Sequence, residues 1–129
     1  MQNIKAIFIS FLIALTIAAL CSCRSAQTPQ EQERQDKIEK ALKELKDEDV
    51  DVRRDALCDL HGLRAKECAK DIAKLLKDKD AIVRGFAVID LDKFGAKEYA
   101  NDIAELLKDE NEIVRAQAKL TLENWGIRY

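Results

Sequence analysis

Aromatic residues, proline and excess charge of either sign are all scarce in this chain of 129 residues. Aromatic side chains make up 5% of the residues and proline occurs once, a profile that suits packed helices and not a β-sandwich. The formal net charge is −2, so the chain lacks the concentrated basic surface that nucleic-acid binding requires. We therefore expect an all-α protein that does not bind nucleic acid.

The residues that enzymes use for catalysis are also few. There is a single histidine, no glycine-rich phosphate loop and no set of His, Cys and Asp on adjacent turns. We therefore predict that the chain is not an enzyme and has no catalytic residue and no cofactor. The alternative is a small envelope enzyme or metal carrier that uses Cys58, His61 and Cys68. These residues span eleven positions, but no fourth ligand is evident. Two further states of the cysteines stay open, namely free thiols and a disulfide.

The first 22 residues differ in character from the rest. Lys5 precedes Ala6 to Leu20, a run of fifteen residues without charge, which is shorter than the ~20 residues of a membrane span. The run resembles a secretory signal, and the stretch "LCSC" that ends at Cys23 resembles a bacterial lipobox. The resemblance implies that residues 1–22 are a lipoprotein signal peptide and that Cys23 becomes the lipid attachment residue. An uncleaved membrane anchor and ordinary secretion are the alternatives.

The residue after the predicted cleavage site bears on location. In the Gram-negative lipoproteins that this sequence resembles, Asp at that position favours retention in the inner membrane. Arg24 therefore favours the outer membrane, with the protein facing the periplasm. Residues 23–33 are polar and predict a tether that runs into a first helix. That helix is expected to begin at "TPQE", with Thr28 as its N-cap and an apolar stripe of Ile38, Ala41, Leu42 and Leu45.

The rest of the chain is repetitive. Residues 65–84 and 96–115 are identical at fourteen of twenty positions, at an offset of 31 residues. Extending the period predicts a domain over 34–129 with three units, at about 34–64, 65–95 and 96–126. Periods of this size indicate stacked supersecondary units, each of which buries its apolar face only against a neighbour.

Each unit is predicted to hold two helices, called here helix A and helix B. In the second unit, Ala69, Ile72, Ala73 and Leu76 are spaced as on one helical face. Capping residues for helix B recur at the same place, and they are Asp49, Asp80 and Asn111. Gly95 and Gly126 are placed to end helix B, whereas Gly62 comes two residues early, so that the first turn is expected to differ.

The stretches "DKDAIVRGFAVIDLDKFG" and "DENEIVRAQAKLTLENWG" resemble HEAT repeats of the short phycobilisome-lyase-like type. The resemblance implies a short α-solenoid of about three helix pairs, with helix A outside and helix B lining a concave face. It also implies an inter-repeat hydrogen-bond ladder, in preference to a basic binding row. Its residues would be Asp47, Arg53, Asp78, Arg84, Asp109 and Arg115.

Apolar residues stand on helix B where the family often has polar ones. They are Ile82, Ile89, Ile113 and Leu120, related by steps of 7 and 31 residues, so we expect them to cluster. Two interpretations remain: a protein-binding patch, or residues covered by the curvature of the stack. Asp59 and Asp90 are expected to be solvated, and a position at the border of this patch is the alternative. Together these features predict a lipid-anchored module of the bacterial cell envelope. It would bind an unidentified protein partner as a scaffold or adaptor and hold the membrane through its N-terminal lipid. A structural subunit of a larger complex is a further alternative.

Overall fold

The computed structural model describes residues 28–128. Within the described residues, those from Arg34 onward form one compact unit. The described part is helical and contains no strand, which confirms the predicted all-α class. Its α-helices are α1 (Pro29–Glu44), α2 (Val50–Gly62), α3 (Ala69–Lys74), α4 (Ala81–Phe94), α5 (Ala100–Glu105) and α6 (Glu112–Asn124). Within residues 28–128, no helix combines the length and the apolar character that crossing a membrane requires.

The B helices α2, α4 and α6 begin at the predicted capping residues. The side chains of Asp49, Asp80 and Asn111 each accept a hydrogen bond from the amide two residues further on. For Asp80 and Asn111 the amide three residues on is a second donor. These bonds satisfy amides that have no partner inside the helix. The first helix begins as predicted too, because the Thr28 hydroxyl accepts from the Glu31 amide at 3.2 Å.

In the second and third units, the α-helical part of helix A is shorter than the continuous apolar stripe in the sequence suggests. Each of these A helices consists of a 3-10 turn, a six-residue α-helix and a second 3-10 turn, so that the second unit runs through Lys66–Cys68, Ala69–Lys74 and Leu75–Lys77. The tighter final turn ends at Asp78, whose extended backbone leads the chain into helix B. Leu76 is fully buried there, so that the predicted apolar stripe still reaches the core.

Each B helix is followed within two residues by a residue in the left-handed conformation, and that residue is not always glycine. Gly95 has φ of 67° and Gly126 has φ of 74°. In the first unit the same place in the repeat is held by Arg64, at φ of 49°. A side chain in this region costs about 1 kcal/mol or more relative to glycine. The expectation that the first turn differs is therefore wrong for its backbone, which keeps the conformation and hydrogen bonds of the other two turns. What differs is the residue, since a side chain holds the left-handed position under strain.

The core runs along the stack without interruption. Helix α2 packs on α4 and α4 packs on α6, while α3 and α5 pack on the B helix of their own unit. Many of the large side chains with almost no exposure stand at equivalent positions of different units. These buried side chains are Ile38, Leu57, Leu60, Ile72, Leu76, Val83, Leu91, Ile103 and Val114. This arrangement is a short solenoid of helix pairs, as predicted.

Within the described residues the third unit packs against a neighbouring unit on one side only, and the burial of equivalent residues differs accordingly. Leu76 is buried between units, whereas Leu107, at the same place in the repeat, is only partly buried. Leu107 lines an open depression of about 460 Å³ together with Leu122 and Ile127. Position in the stack, and not only position in the repeat, therefore sets how much each leucine stabilises the fold.

This difference predicts unequal effects of two matched substitutions. Leu76→Ala should lower the free energy of unfolding by ~2–5 kcal/mol, the range for deleting a fully buried leucine side chain. Leu107→Ala should cost clearly less, because part of that side chain already contacts water. Urea unfolding of both variants checks this, and equal losses would mean that the units do not stack in the order described.

Candidate functional site

An exposed apolar surface lies on the first half of α4. Ile82, Phe86 and Ile89 follow one another at steps of four and three residues, which places them on one face of the helix. Ile82 is 50% exposed and Phe86 is 37% exposed, whereas Ile89 is partly buried. The opposite face of α4, with Val83, points into the core. The helix is therefore apolar on both sides, and one of those sides is open to solvent.

Helix α6 completes this surface. Ile113, in its first turn, is 72% exposed and lines the same depression as the α4 residues, which has a volume of about 310 Å³. We call this depression the apolar groove; its lining residues are Ala81, Ile82, Gly85, Phe86, Ile89, Asn111 and Ile113. Leu120 is 51% exposed but does not line the groove, since it lies seven residues after Ile113 along α6. The structure thus brings together three of the four predicted contact residues, and Ile82, Ile113 and Leu120 are not covered by the stack.

Phe86 belongs to the groove and was not predicted from the sequence. Its equivalents in the first and third units are Asp55 and Gln117. A change from a polar residue to an aromatic one at a repeat-aligned position is the signal that could have identified it. Large exposed apolar side chains grouped on one surface are characteristic of interaction sites.

The predicted ladder residues form a continuous network between the units, which we call the Arg–Asp ladder. Arg84 donates from Nε and Nη2 to the two carboxylate oxygens of Asp109, both at 2.8 Å. Its Nη1 donates to the backbone oxygens of Asp78 and Lys79 in its own unit. Asp109 also accepts from the Asn111 amide at 2.9 Å. One ion pair therefore links the turn of the second unit to the start of helix B in the third.

The same contacts recur between the first and second units. Arg53 donates from Nε and Nη2 to Asp78, both at 2.9 Å, and from Nη1 to the Asp47 backbone oxygen at 2.8 Å. Each arginine thus pairs with the carboxylate of the next unit and with the backbone of its own. The ends of the ladder lie at Asp47 and Arg115, and neither forms an ion pair with another residue of the described part of the chain.

Asp90 is buried, which corrects the expectation that it is solvated. The residue is 1% exposed, and one of its oxygens lies 2.6 Å from Nδ1 of His61. The other oxygen has no hydrogen-bond partner. Burial raises the pKa of Asp90, while the hydrogen bond with His61 acts in the opposite direction. Thr121, its equivalent in the third unit, is buried too, so this position faces the core in both units; Asp59 is exposed as expected.

The structure does not bring Cys58, His61 and Cys68 together as a ligand set. Cys58 is exposed, Cys68 is buried, and both thiols are free. Partial burial of the sulfur, with Asp90 next in effect, raises the pKa of Cys58, and burial followed by Glu67 raises that of Cys68. Both thiols therefore stay protonated near neutral pH, and a protonated thiol is a poor metal ligand. Between residues 28 and 128, no group of three or more His, Cys, Asp or Glu side chains is placed to hold a metal ion.

The predicted lipid attachment residue cannot be placed in this geometry. Cys23 and the predicted signal peptide of residues 1–22 lie outside the described residues, as does the tether up to residue 27.

Stacked helix pairs joined by a repeating ion pair define a helical-repeat solenoid protein. The family described as HEAT repeats matches residues 38–123, which is more than half of the chain, so the chain belongs to the HEAT-repeat family. Comparison with curated proteins found no match. HEAT repeats generally mediate protein–protein interactions, and the family is typically a non-enzymatic scaffold.

The Arg–Asp ladder predicts a defined acid sensitivity. The hydrogen bonds from Arg84 hold the pKa of Asp109 below its ordinary value. Because the pKa of Asp109 is lower in the folded state than in the unfolded chain, the stabilisation that its carboxylate gives the fold is complete above about pH 5. It is lost as the pH falls through about 3.9, the value expected in the unfolded chain, toward the folded-state pKa. Asp109→Asn should therefore cost ~3 kcal/mol at pH 7 and should reduce the loss of stability between pH 5 and pH 3.

Asp47→Asn is the matched control for this prediction. Asp47 accepts from the Asp49 amide but pairs with no arginine side chain that the structure describes, and asparagine keeps the accepting oxygen. Its effect should stay within about 0.5 kcal/mol, as for most surface changes. Chemical denaturation at several pH values gives the free energy of unfolding of both variants. Equal losses would mean that the ion pair of Arg84 with Asp109 stabilises the fold no more than an unpaired aspartate does.

Proposed function

We propose that this protein is a lipid-anchored scaffold or adaptor of the bacterial cell envelope that binds a protein partner in the apolar groove. The observation that carries the proposal is the exposure of Ile82, Phe86 and Ile113 around one depression. The membership of the HEAT-repeat family supports the same class of function, since such repeats generally bind proteins.

The chemistry of the groove favours an apolar segment of the partner. Its lining contains one polar side chain, that of Asn111, which already accepts hydrogen bonds from the Ile113 and Val114 amides. A ligand that depends on hydrogen bonds would therefore find few free groups there. A protein segment that inserts one or two apolar side chains would instead gain ~1.5–3 kcal/mol for each one it buries fully.

The N-terminal sequence supports the anchoring part of the proposal. The apolar run of Ala6 to Leu20 and the "LCSC" stretch that ends at Cys23 are the features on which it rests. Two or more acyl chains on Cys23 would give a lasting attachment, whereas a single chain binds membranes only marginally. Arg24 favours the outer membrane, so that the HEAT repeats would face the periplasm. A tethered binding surface raises the effective concentration of its partner near the membrane.

The groove predicts that binding and stability can be separated. Ile113→Asp should remove a partner captured by crosslinking in cells, because apolar anchors near the centre of an interface carry most of the binding energy. Its melting curve should match that of the unaltered protein, since the side chain is 72% exposed. Leu120→Asp is the matched control, because it introduces the same charge on the same helix outside the groove.

Two results would contradict this use of the groove. Partner capture that survives Ile113→Asp would place the interface elsewhere. A collapsed unfolding transition for Ile113→Asp would mean that the residue contributes to the core.

The anchor is tested separately by Cys23→Ser. This change removes the thiol that would carry the diacylglycerol, so the variant should be unprocessed or found in the soluble fraction. Intact-mass measurement of the unaltered protein should show residues 1–22 removed and lipid added to Cys23. A mature protein that keeps residues 1–22, or that begins elsewhere without lipid, would rule the anchor out.

A further inference from the structure

A second pocket, unlike the apolar groove, lies at the far end of α4. Its volume is about 330 Å³, and its lining residues are His61, Arg64, Lys66, Lys93 and Phe94. We call it the basic pocket. Three of the five residues carry a permanent positive charge, one is a histidine, and none is acidic. The groove is lined by the first half of α4, so the two sites stand at opposite ends of that helix.

The cationic side chains of the basic pocket are unpaired within residues 28–128. Among the residues that the structure describes, Arg64, Lys66 and Lys93 take part in no ion pair and no side-chain hydrogen bond. The neighbouring carboxylate of Glu67 is already engaged by Arg34 at 2.8 Å. Converging like charges repel one another, so such an arrangement is stabilised by an anion that bridges them.

The repeats supply an internal control for this pocket. Arg64 stands where the other units have Gly95 and Gly126, and it keeps their left-handed backbone at a cost in strain. His61 stands where they have Asp92 and Glu123. Both differences make the first turn more basic. The strained residue Arg64 occurs only in the first unit, and its side chain lines the pocket. Together these observations point to a role for Arg64 that the other units lack.

A third difference concerns Lys66. Its equivalent in the third unit, Lys97, donates to the Trp125 backbone oxygen at the end of helix B. Lys66 makes no such bond within the described residues and lines the pocket instead. The ring of His61 is also held in place, because its Nδ1 lies 2.6 Å from Asp90. The Lys66 ammonium group is therefore available to a ligand, and the His61 ring is oriented in advance.

The number and type of these groups indicate which anion fits. A phosphate group presents three oxygens and up to two charges, which suits one guanidinium and two ammonium groups better than a carboxylate does. The carbonyl ends of α2 and α4 each contribute about half a negative charge nearby, and the Asp90 carboxylate beside His61 contributes at most one more. The three full positive charges of Arg64, Lys66 and Lys93 exceed this sum. We propose that the basic pocket binds a phosphate-bearing anion, either free in solution or as a phospholipid headgroup.

The single histidine makes the proposal directly measurable. Because His61 is the only histidine, its imidazole Cε1–H resonance in the NMR spectrum of the full chain reports on this pocket alone. One titration uses inorganic phosphate and pyrophosphate. A second compares phosphatidylcholine nanodiscs with and without phosphatidic acid. We expect a saturable shift of the resonance in at least one titration, and the titration that produces it identifies the source of the phosphate. No shift in either titration overturns the proposal.

Two variants make the test specific. Arg64→Gly restores the residue of the other units and should stay folded, with a melting temperature at least as high as that of the unaltered chain. It should weaken binding about tenfold, the usual effect of losing one charge-assisted contact. Lys108→Gln removes one positive charge from an exposed residue of the third unit that does not line the pocket, and it should leave affinity within about twofold. Equal weakening by both variants would mean that the attraction is diffuse, and the assignment to the basic pocket would fall.

Discussion

The stacking of the units depends on a buried ion pair, repeated at each junction, between an arginine and the aspartate of the next unit. Arg84 is 6% exposed and cannot be left without a partner at such burial. Its guanidinium contacts two backbone oxygens of its own turn and both carboxylate oxygens of Asp109. A buried ion pair adds little net stability compared with apolar packing, but it penalises every arrangement in which one partner is missing. We infer that the Arg–Asp ladder specifies how the units align, while the apolar core supplies most of the stability.

A fixed alignment leaves the exposed faces free to differ between units. The groove position of Ile82 is occupied by Asp51 in the first unit, and that of Phe86 by Asp55. At the basic pocket the first unit carries the distinctive residue, since it has Arg64 where the others have glycine. The scaffold is therefore the part that repeats. The candidate sites are the parts in which one unit departs from the others at a residue that the stack does not need.

The repeat made most of the fold predictable from the sequence. Asp49, Asp80 and Asn111 could be identified as helix caps because they recur at one interval and capping is a local interaction. The ladder residues could be identified because they recur and because the resemblance to HEAT repeats implies a ladder, but the pairing of Arg84 with the carboxylate of Asp109 required three-dimensional information. The burial of Asp90 could not be anticipated, because it depends on how α4 faces its neighbours. Phe86 gives a weaker sequence signal than Ile82, because its repeat position is apolar in one unit only, whereas that of Ile82 is apolar in two.

The central claim is that the Arg–Asp pair couples neighbouring units, and a double-mutant cycle tests it most directly. The free energy of unfolding would be measured for Arg84→Met, Asp109→Asn and the double variant, beside a control cycle with Arg115→Met and Asp47→Asn. The account predicts a coupling energy of about 1–3 kcal/mol for Arg84 with Asp109, because each depends on the other for its hydrogen bonds. The control pair, which forms no contact, should be additive within about 0.5 kcal/mol. Additive effects of Arg84→Met and Asp109→Asn would contradict the account, since the units would then be aligned by something other than this ion pair.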